Sequence, residues 1–250
     1  MRKLFSKNRV VKIGISIQLH FMKLPEPAEL ATALQLNGYA ILPNCISKEE
    51  CLSLVKEYES HAIYRGVIDM ERYRFGKGQY KYFSYPLPEF IQRIREQVYP
   101  MLVGVANKWM GQLGLEKLFP ALHSDLIELC RLKNQLRPTP LILKYEMDGY
   151  NTLHQDLYGE IFFPFQMVIA LSQSGEDFTG GEFILIEQVP RAQSKAEVIH
   201  LNQGDGLIFT TNFKPVKSSK GYYKANIKHG ISRVRSGKRF ALGIIFHDAS

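Results

Sequence analysis

The stretch Tyr145-Glu146-Met147-Asp148-Gly149-Tyr150-Asn151-Thr152-Leu153-His154-Gln155-Asp156 decides the reading of this chain, through its last three residues. In an extended strand, successive side chains alternate between faces and residues two apart point the same way. His154 and Asp156 therefore share a face while Gln155 turns from it. Far downstream stands His229, and ten residues later Arg239. Two imidazoles and one carboxylate occupy one face of an octahedral ferrous ion and leave three positions open. Zinc is more often signalled by His-Glu-x-x-His on a helix or by cysteine pairs, and the chain has neither.

Around this constellation the pattern is one of strands. Segments starting at Leu141, Phe165, Glu182, Glu197, Gly206 and Arg239 are short and rich in β-branched or aromatic residues. Turn residues such as Asp148-Gly149, Gly180-Gly181, Gly204-Asp205-Gly206 and Ser236-Gly237 bound them. Two more strands around His154 and His229 bring the number to about eight, as in a jelly roll. Upstream the periodicity is helical. A helix is expected over Glu29 to Asn37, a short strand over Tyr39 to Leu42, and a second helix after the capping box of Ser47 and Glu50. A third runs from about Glu89 to Met110, broken or kinked at Pro100, and a fourth spans Leu122 to Leu132. The expected architecture is mainly β with helical support: a jelly-roll core over 140–250, preceded by a helical half over 25–139, in one domain.

Of the 250 residues, 45% are apolar, enough for a substantial core. No stretch reaches the roughly 18–20 apolar residues of a membrane span, so no membrane partner is expected. Cys45, Cys51 and Cys130 form neither a zinc pattern nor a disulfide framework, which points to a reducing cytoplasm. Residues 1–24 carry Arg2, Lys3, Lys7, Arg9 and Lys12 ahead of a short, polar-interrupted apolar run. No clear small-residue cleavage site follows, so this part reads as a poorly packed basic extension, with Met22 as an alternative start.

The quoted stretch resembles the first metal strand of the Fe(II)- and 2-oxoglutarate-dependent oxygenase superfamily, together with the strand before it. Phe178-Thr179-Gly180-Gly181-Glu182-Phe183 resembles that superfamily's mid-barrel turn, and Gly204 to Phe209 its next strand. Lys228 to Arg239 is similar to its last metal ligand and cosubstrate arginine. The resemblance implies a double-stranded β-helix and a ferrous ion on His154, Asp156 and His229. It also implies 2-oxoglutarate and O₂ as cosubstrates, with ascorbate as a candidate reductant. Arg239 would pair through both guanidinium nitrogens with the C5 carboxylate of 2-oxoglutarate, and the Tyr145 hydroxyl would bond the same group.

Substrate is less legible. The net charge of +8 favours phosphate-bearing partners. Two segments mix cations with rings: Arg72 to Phe83 and Lys214 to Lys224. The first also reads as an edge strand with exposed lysines, the second as a lid beside the iron or a solvated loop. The chain is similar to a bacterial group of oxygenases described as acting on alkylated nucleic-acid bases, while its step from His229 to Arg239 resembles the prolyl-hydroxylase type of site. Three functions follow: an oxygenase of a nucleic-acid base, an oxygenase of a protein side chain or small metabolite, and a non-catalytic β-barrel that binds a ligand. His20, His61, His123, His200 and His247 read as lying outside the metal set.

Overall fold

A computed structural model describes residues 24–60 and 62–250. The basic extension before Leu24, with its Met22 start, and His61 lie outside the described residues. Helix α1 (Pro27–Asn37) opens on a proline, whose missing amide would be unsatisfied in a first turn anyway, and ends at Gly38. Strand β1 (Tyr39–Leu42) follows. Helix α2 (Lys48–Glu57) starts at the expected capping box: the Ser47 side chain accepts from the Glu50 amide, and the Glu50 carboxylate accepts from the Ser47 amide.

The chain then turns to strand structure earlier than its helical periodicity suggests. Strands β2 (Tyr64–Asp69), β3 (Gly76–Lys77) and β4 (Gln79–Phe83) come before the long helix α3 (Glu89–Gln112) and α4 (His123–Leu132). The first half is therefore not simply helical. Helix α3 passes Pro100 as one element. Pro100 and Glu96 are both exposed, so the Glu96 carbonyl that loses its helical partner there faces water. Among the described residues no helix is long and apolar enough to cross a membrane.

The remaining strands are β5 (Leu141–Tyr145), β6 (Tyr150–His154), β7 (Phe165–Ala170), β8 (Phe178–Gly180), β9 (Phe183–Gln188), β10 (Lys195–Ile199), β11 (Gly206–Thr210), β12 (Phe213–Ser218), β13 (Gly221–Ile231), β14 (Val234–Gly237) and β15 (Arg239–Ile245). They form two main antiparallel sheets. One has the order β1-β11-β7-β15-β5-β4-β2; the other runs β10-β9-β13-β6-β3, with β12 joined to β13. Strands β14 and β8 make a small third sheet. This is the expected double-stranded β-helix, with more strands than the eight anticipated.

Alternation along the seven-stranded sheet separates two cores. Phe165, Met167 and Ile169 of β7, and Phe240, Leu242 and Ile244 of β15, pack against Ile91, Val98, Leu102 and Trp109 of α3. Trp109 is fully buried with its ring 4.7 Å from Phe165, the kind of contact whose removal costs about 3–5 kcal/mol. The opposite face of the same strands meets Phe183, Leu185, Ile227 and Ile231 of the second sheet. Helices thus cover one face and hold the sheet rigid, while the other face is free to line a cavity between sheets.

The first basic segment is an edge only at β3, which ends the second sheet, and the second segment is not a loop. Strand β4 lies between β5 and β2, so β2 is the edge. Lys81 is buried, its ammonium donating to the Tyr58 carbonyl at 2.6 Å. Lys214 to Lys224 folds into the β12–β13 hairpin, with the Lys214 ammonium paired to Glu187 at 2.9 Å, and contributes nothing to the cavity wall described next.

Candidate metal centre and cosubstrate pocket

His154 ends β6, and His229 lies directly opposite it on β13. A register shift between His229 and Ile231 interrupts that pairing, the kind of bulge that re-aims a side chain beside a site. Asp156 sits two residues past the end of β6 and reaches both rings. Its Oδ1 lies 3.4 Å from His154 Nε2, and its Oδ2 lies 3.3 Å from His229 Nε2. One ligand atom from each residue falls within 4.8 Å of the others, a set able to hold a metal ion. Gln155 turns away, as alternation requires, and donates to the carbonyls of Asn212 and Ile227.

The surroundings prepare these groups for a cation. His154 Nδ1 lies 2.7 Å from the Thr152 carbonyl. A carbonyl only accepts, so Nδ1 carries a proton, and Nε2 is the nitrogen turned toward Asp156. Burial by itself would raise the Asp156 carboxyl, but hydrogen bonds from His154 and His229 overcome it and hold the group well below the usual carboxylate range. His154 is raised: burial opposes its protonation, and the Asp156 carboxylate outweighs burial. His229 is lowered by burial and by the neighbouring His154 charge. Its ring is parallel to Phe183, with centroids 5.9 Å apart, and edge-on to Phe209 at 4.8 Å.

Two side chains that sequence reasoning passed over complete the arrangement. Gln166 of β7 donates to Asp156 Oδ2 at 2.8 Å, and Tyr158 donates to Asp156 Oδ1 at 2.6 Å. Both carboxylate oxygens are thereby oriented. Gln166 had a signal: it is the polar residue in the otherwise apolar run Phe165 to Ala170, and a buried polar side chain demands a partner.

Arg239 and Tyr145 stand directly opposite each other on β15 and β5. Both are buried and line the same cavity of about 250 Å³ as His154, Asp156 and His229. Among the described residues no carboxylate pairs with Arg239, although burial pushes its guanidinium below its ordinary value. The buried Tyr145 hydroxyl has no hydrogen-bond partner, and burial pushes it up to about 12. A buried cation beside an unsatisfied hydroxyl could receive a carboxylate.

Two glycines hold this corner open. A Cβ on Gly181, at φ +64°, would fall 3.0 Å from Arg239 Cδ; one on Gly78, at φ +155°, would fall 2.8 Å from the Tyr145 ring. The other histidines stand apart. His247 is buried and its Nδ1 accepts from the Phe163 amide; His123 is buried against the Phe246 carbonyl; His200 is exposed just past β10. His20 and His61 lie outside the described residues.

With this geometry in hand, comparison with known proteins decides the family. The family model Oxygenase-NA, described as "Oxygenase, catalysing oxidative methylation of damaged DNA", matches residues 78–249. The chain belongs to the Oxygenase-NA family. Uncharacterized proteins of Mycobacterium tuberculosis strains CDC 1551 and H37Rv are each 46% identical over 168 residues, covering 67% of this chain and 72% of theirs. A Pseudomonas putida prolyl-4-hydroxylase shares the fold with a TM-score of 0.52 at 10% identity, over 87% of this chain and 96% of its own. The family is described as one of oxygenases, and the donor set of two imidazoles and a carboxylate suits ferrous iron.

Proposed function

We propose that His154, Asp156 and His229 hold Fe(II), that Arg239 and Tyr145 hold the C5 carboxylate of 2-oxoglutarate, and that the enzyme hydroxylates an N-alkyl group on a nucleic-acid base. One observation carries the cosubstrate assignment. An unpaired buried guanidinium and an unsatisfied hydroxyl face the same cavity as three convergent metal-binding groups. The description of the family supports the substrate by naming damaged DNA.

Bound iron with 2-oxoglutarate and O₂ supplies the oxidation: one oxygen atom enters succinate as CO₂ leaves, and the other enters a substrate C–H bond. On an N-methyl group the product is an N-hydroxymethyl group, which loses formaldehyde and restores the N–H. The chain's own part is geometric and electrostatic. Thr152 keeps the proton on His154 Nδ1; Gln166 and Tyr158 fix both oxygens of Asp156. The planar Arg239 guanidinium orients a dicarboxylate from its far end, leaving the near end toward the metal ligands. Phe183, Phe209, Val168 and Ile231 keep the cavity wall apolar and exclude water.

The test is succinate release in the presence of N-methylated oligonucleotides. Stimulation above the uncoupled background supports the reading. No stimulation across several methyl lesions, or stimulation by a peptide instead, refutes the substrate assignment while leaving the site assignment to be judged by iron and 2-oxoglutarate binding.

A further inference from the structure

The segment Arg72-Tyr73-Arg74-Phe75 is not used by the chemistry above, yet it stands at the mouth of the reaction cavity. Phe75 lines that cavity and is still 46% exposed; Tyr73 is 55% exposed. Their rings are stacked, 5.6 Å apart at 19°. Leu157, next to Asp156, also lines the cavity and is exposed. Large apolar groups left in water around a cavity mouth mark a contact surface.

The platform is tied to the metal strand. The Thr152 amide and hydroxyl both donate to the Phe75 carbonyl, at 2.9 and 2.8 Å. The Thr152 carbonyl in turn accepts from His154 Nδ1. A single residue thus fixes the backbone of Phe75 relative to one metal ligand, so whatever stacks on the ring is held at a set distance from the reacting centre. Arg72 and Arg74 alternate with the two rings, are exposed, and pair with no carboxylate among the described residues. The acidic neighbours Asp69 and Glu71 border a separate shallow groove on the β3–β4 side.

We infer that Phe75, backed by Tyr73, is the stacking platform for the substrate's base, and that Arg72 and Arg74 hold the adjoining phosphates; this rests on the nucleic-acid reading above. Flat rings interleaved with cations fit a single-stranded segment better than a peptide, since every base offers a π-face and every linkage a phosphate. A base must also leave a duplex to enter a cavity of this kind.

The experiment measures anisotropy of a fluorescently labelled single-stranded oligonucleotide carrying N-methyladenine. The protein is loaded anaerobically with Fe(II) and 2-oxoglutarate. Phe75→Ala should weaken binding about tenfold or more, and Phe75→Tyr should restore it. Arg72→Gln with Arg74→Gln should flatten the salt dependence of the affinity. The visible charge-transfer band of iron-bound 2-oxoglutarate serves as the control that the metal site is intact. If Phe75→Ala binds the oligonucleotide like the unmodified protein, the platform is wrong and the nucleic-acid reading survives. If the unmodified protein binds no oligonucleotide, both fail. Loss of the charge-transfer band in Phe75→Ala would make the residue structural and overturn the inference.

Discussion

Replacing Arg239 with methionine separates two quantities that usually move together. The guanidinium is buried, lines the cavity and pairs with no carboxylate among the described residues. In the metal-free protein it therefore contributes little to stability, because burial already disfavours its charge. On the proposed placement its partner is the C5 carboxylate of 2-oxoglutarate. A guanidinium and a carboxylate about 4 Å apart at an effective dielectric constant of about 20 attract by roughly 4 kcal/mol. Truncating one partner of such a buried pair costs about 2–5 kcal/mol, which is about thirty- to several-thousand-fold in affinity. Methionine keeps most of the stem that packs on Gly181. The expected result is an unchanged or slightly higher melting temperature without ligand, unchanged Fe(II) binding, and a loss of 2-oxoglutarate affinity in that range. Anaerobic titration of the charge-transfer band, alongside thermal melts, reads all three. Cosubstrate affinity equal to that of the unmodified protein would refute the placement of the dicarboxylate; a drop of several degrees in melting temperature would show that Arg239 supports the fold.

Further outcomes follow from the same geometry. Gln166→Leu and Tyr158→Phe each remove one hydrogen bond to Asp156 and should lower Fe(II) affinity about 10- to 100-fold with the fold retained; competition with a chelator measures it, and unchanged affinity in both would contradict the orienting role. Gly181→Ala should displace Arg239 and weaken 2-oxoglutarate more than iron, a split that equilibrium titration of each ligand detects. In the metal-free protein, burial pushes His123 and His247 down to about 3. The unfolded chain protonates these groups below about pH 6.5 while the folded chain does not. Stability should therefore fall as pH drops from that value and keep falling towards about 3. Urea denaturation between pH 7.5 and 4.5 tests this, and a flat profile would contradict it.

Which parts of the site were visible in the sequence depends on how far each interaction reaches along the chain. His154, Asp156 and His229 were chosen from residue type and spacing, the roles of Arg239 and Tyr145 from the family resemblance, and the fold brings all five to one cavity. The capping box at Ser47 and the strand alternation of β7 and β15 were equally local and equally legible. Other features were not. Strands β2 to β4 sit in a half whose strongest periodicity is helical, and β4 reads as an edge until its pairing with β5 and β2 is known. Lys81 and Lys214 look solvated in sequence, but distant carbonyls and Glu187 receive their ammonium groups. Gln166 and Tyr158 gain their role only because Asp156 is delivered to them.

The sequence alone determined the donor atoms and the alternation of strands such as β7 and β15, because side-chain chemistry and the two-residue period of a strand are properties of neighbouring residues. Only the tertiary structure decided which groups face one another: His154 across from His229, Arg239 across from Tyr145, Phe75 tied to Thr152. Those pairings span stretches of up to 94 residues, between Tyr145 and Arg239. They depend on sheet register, where a slip of one position would turn every one of these side chains to the opposite face.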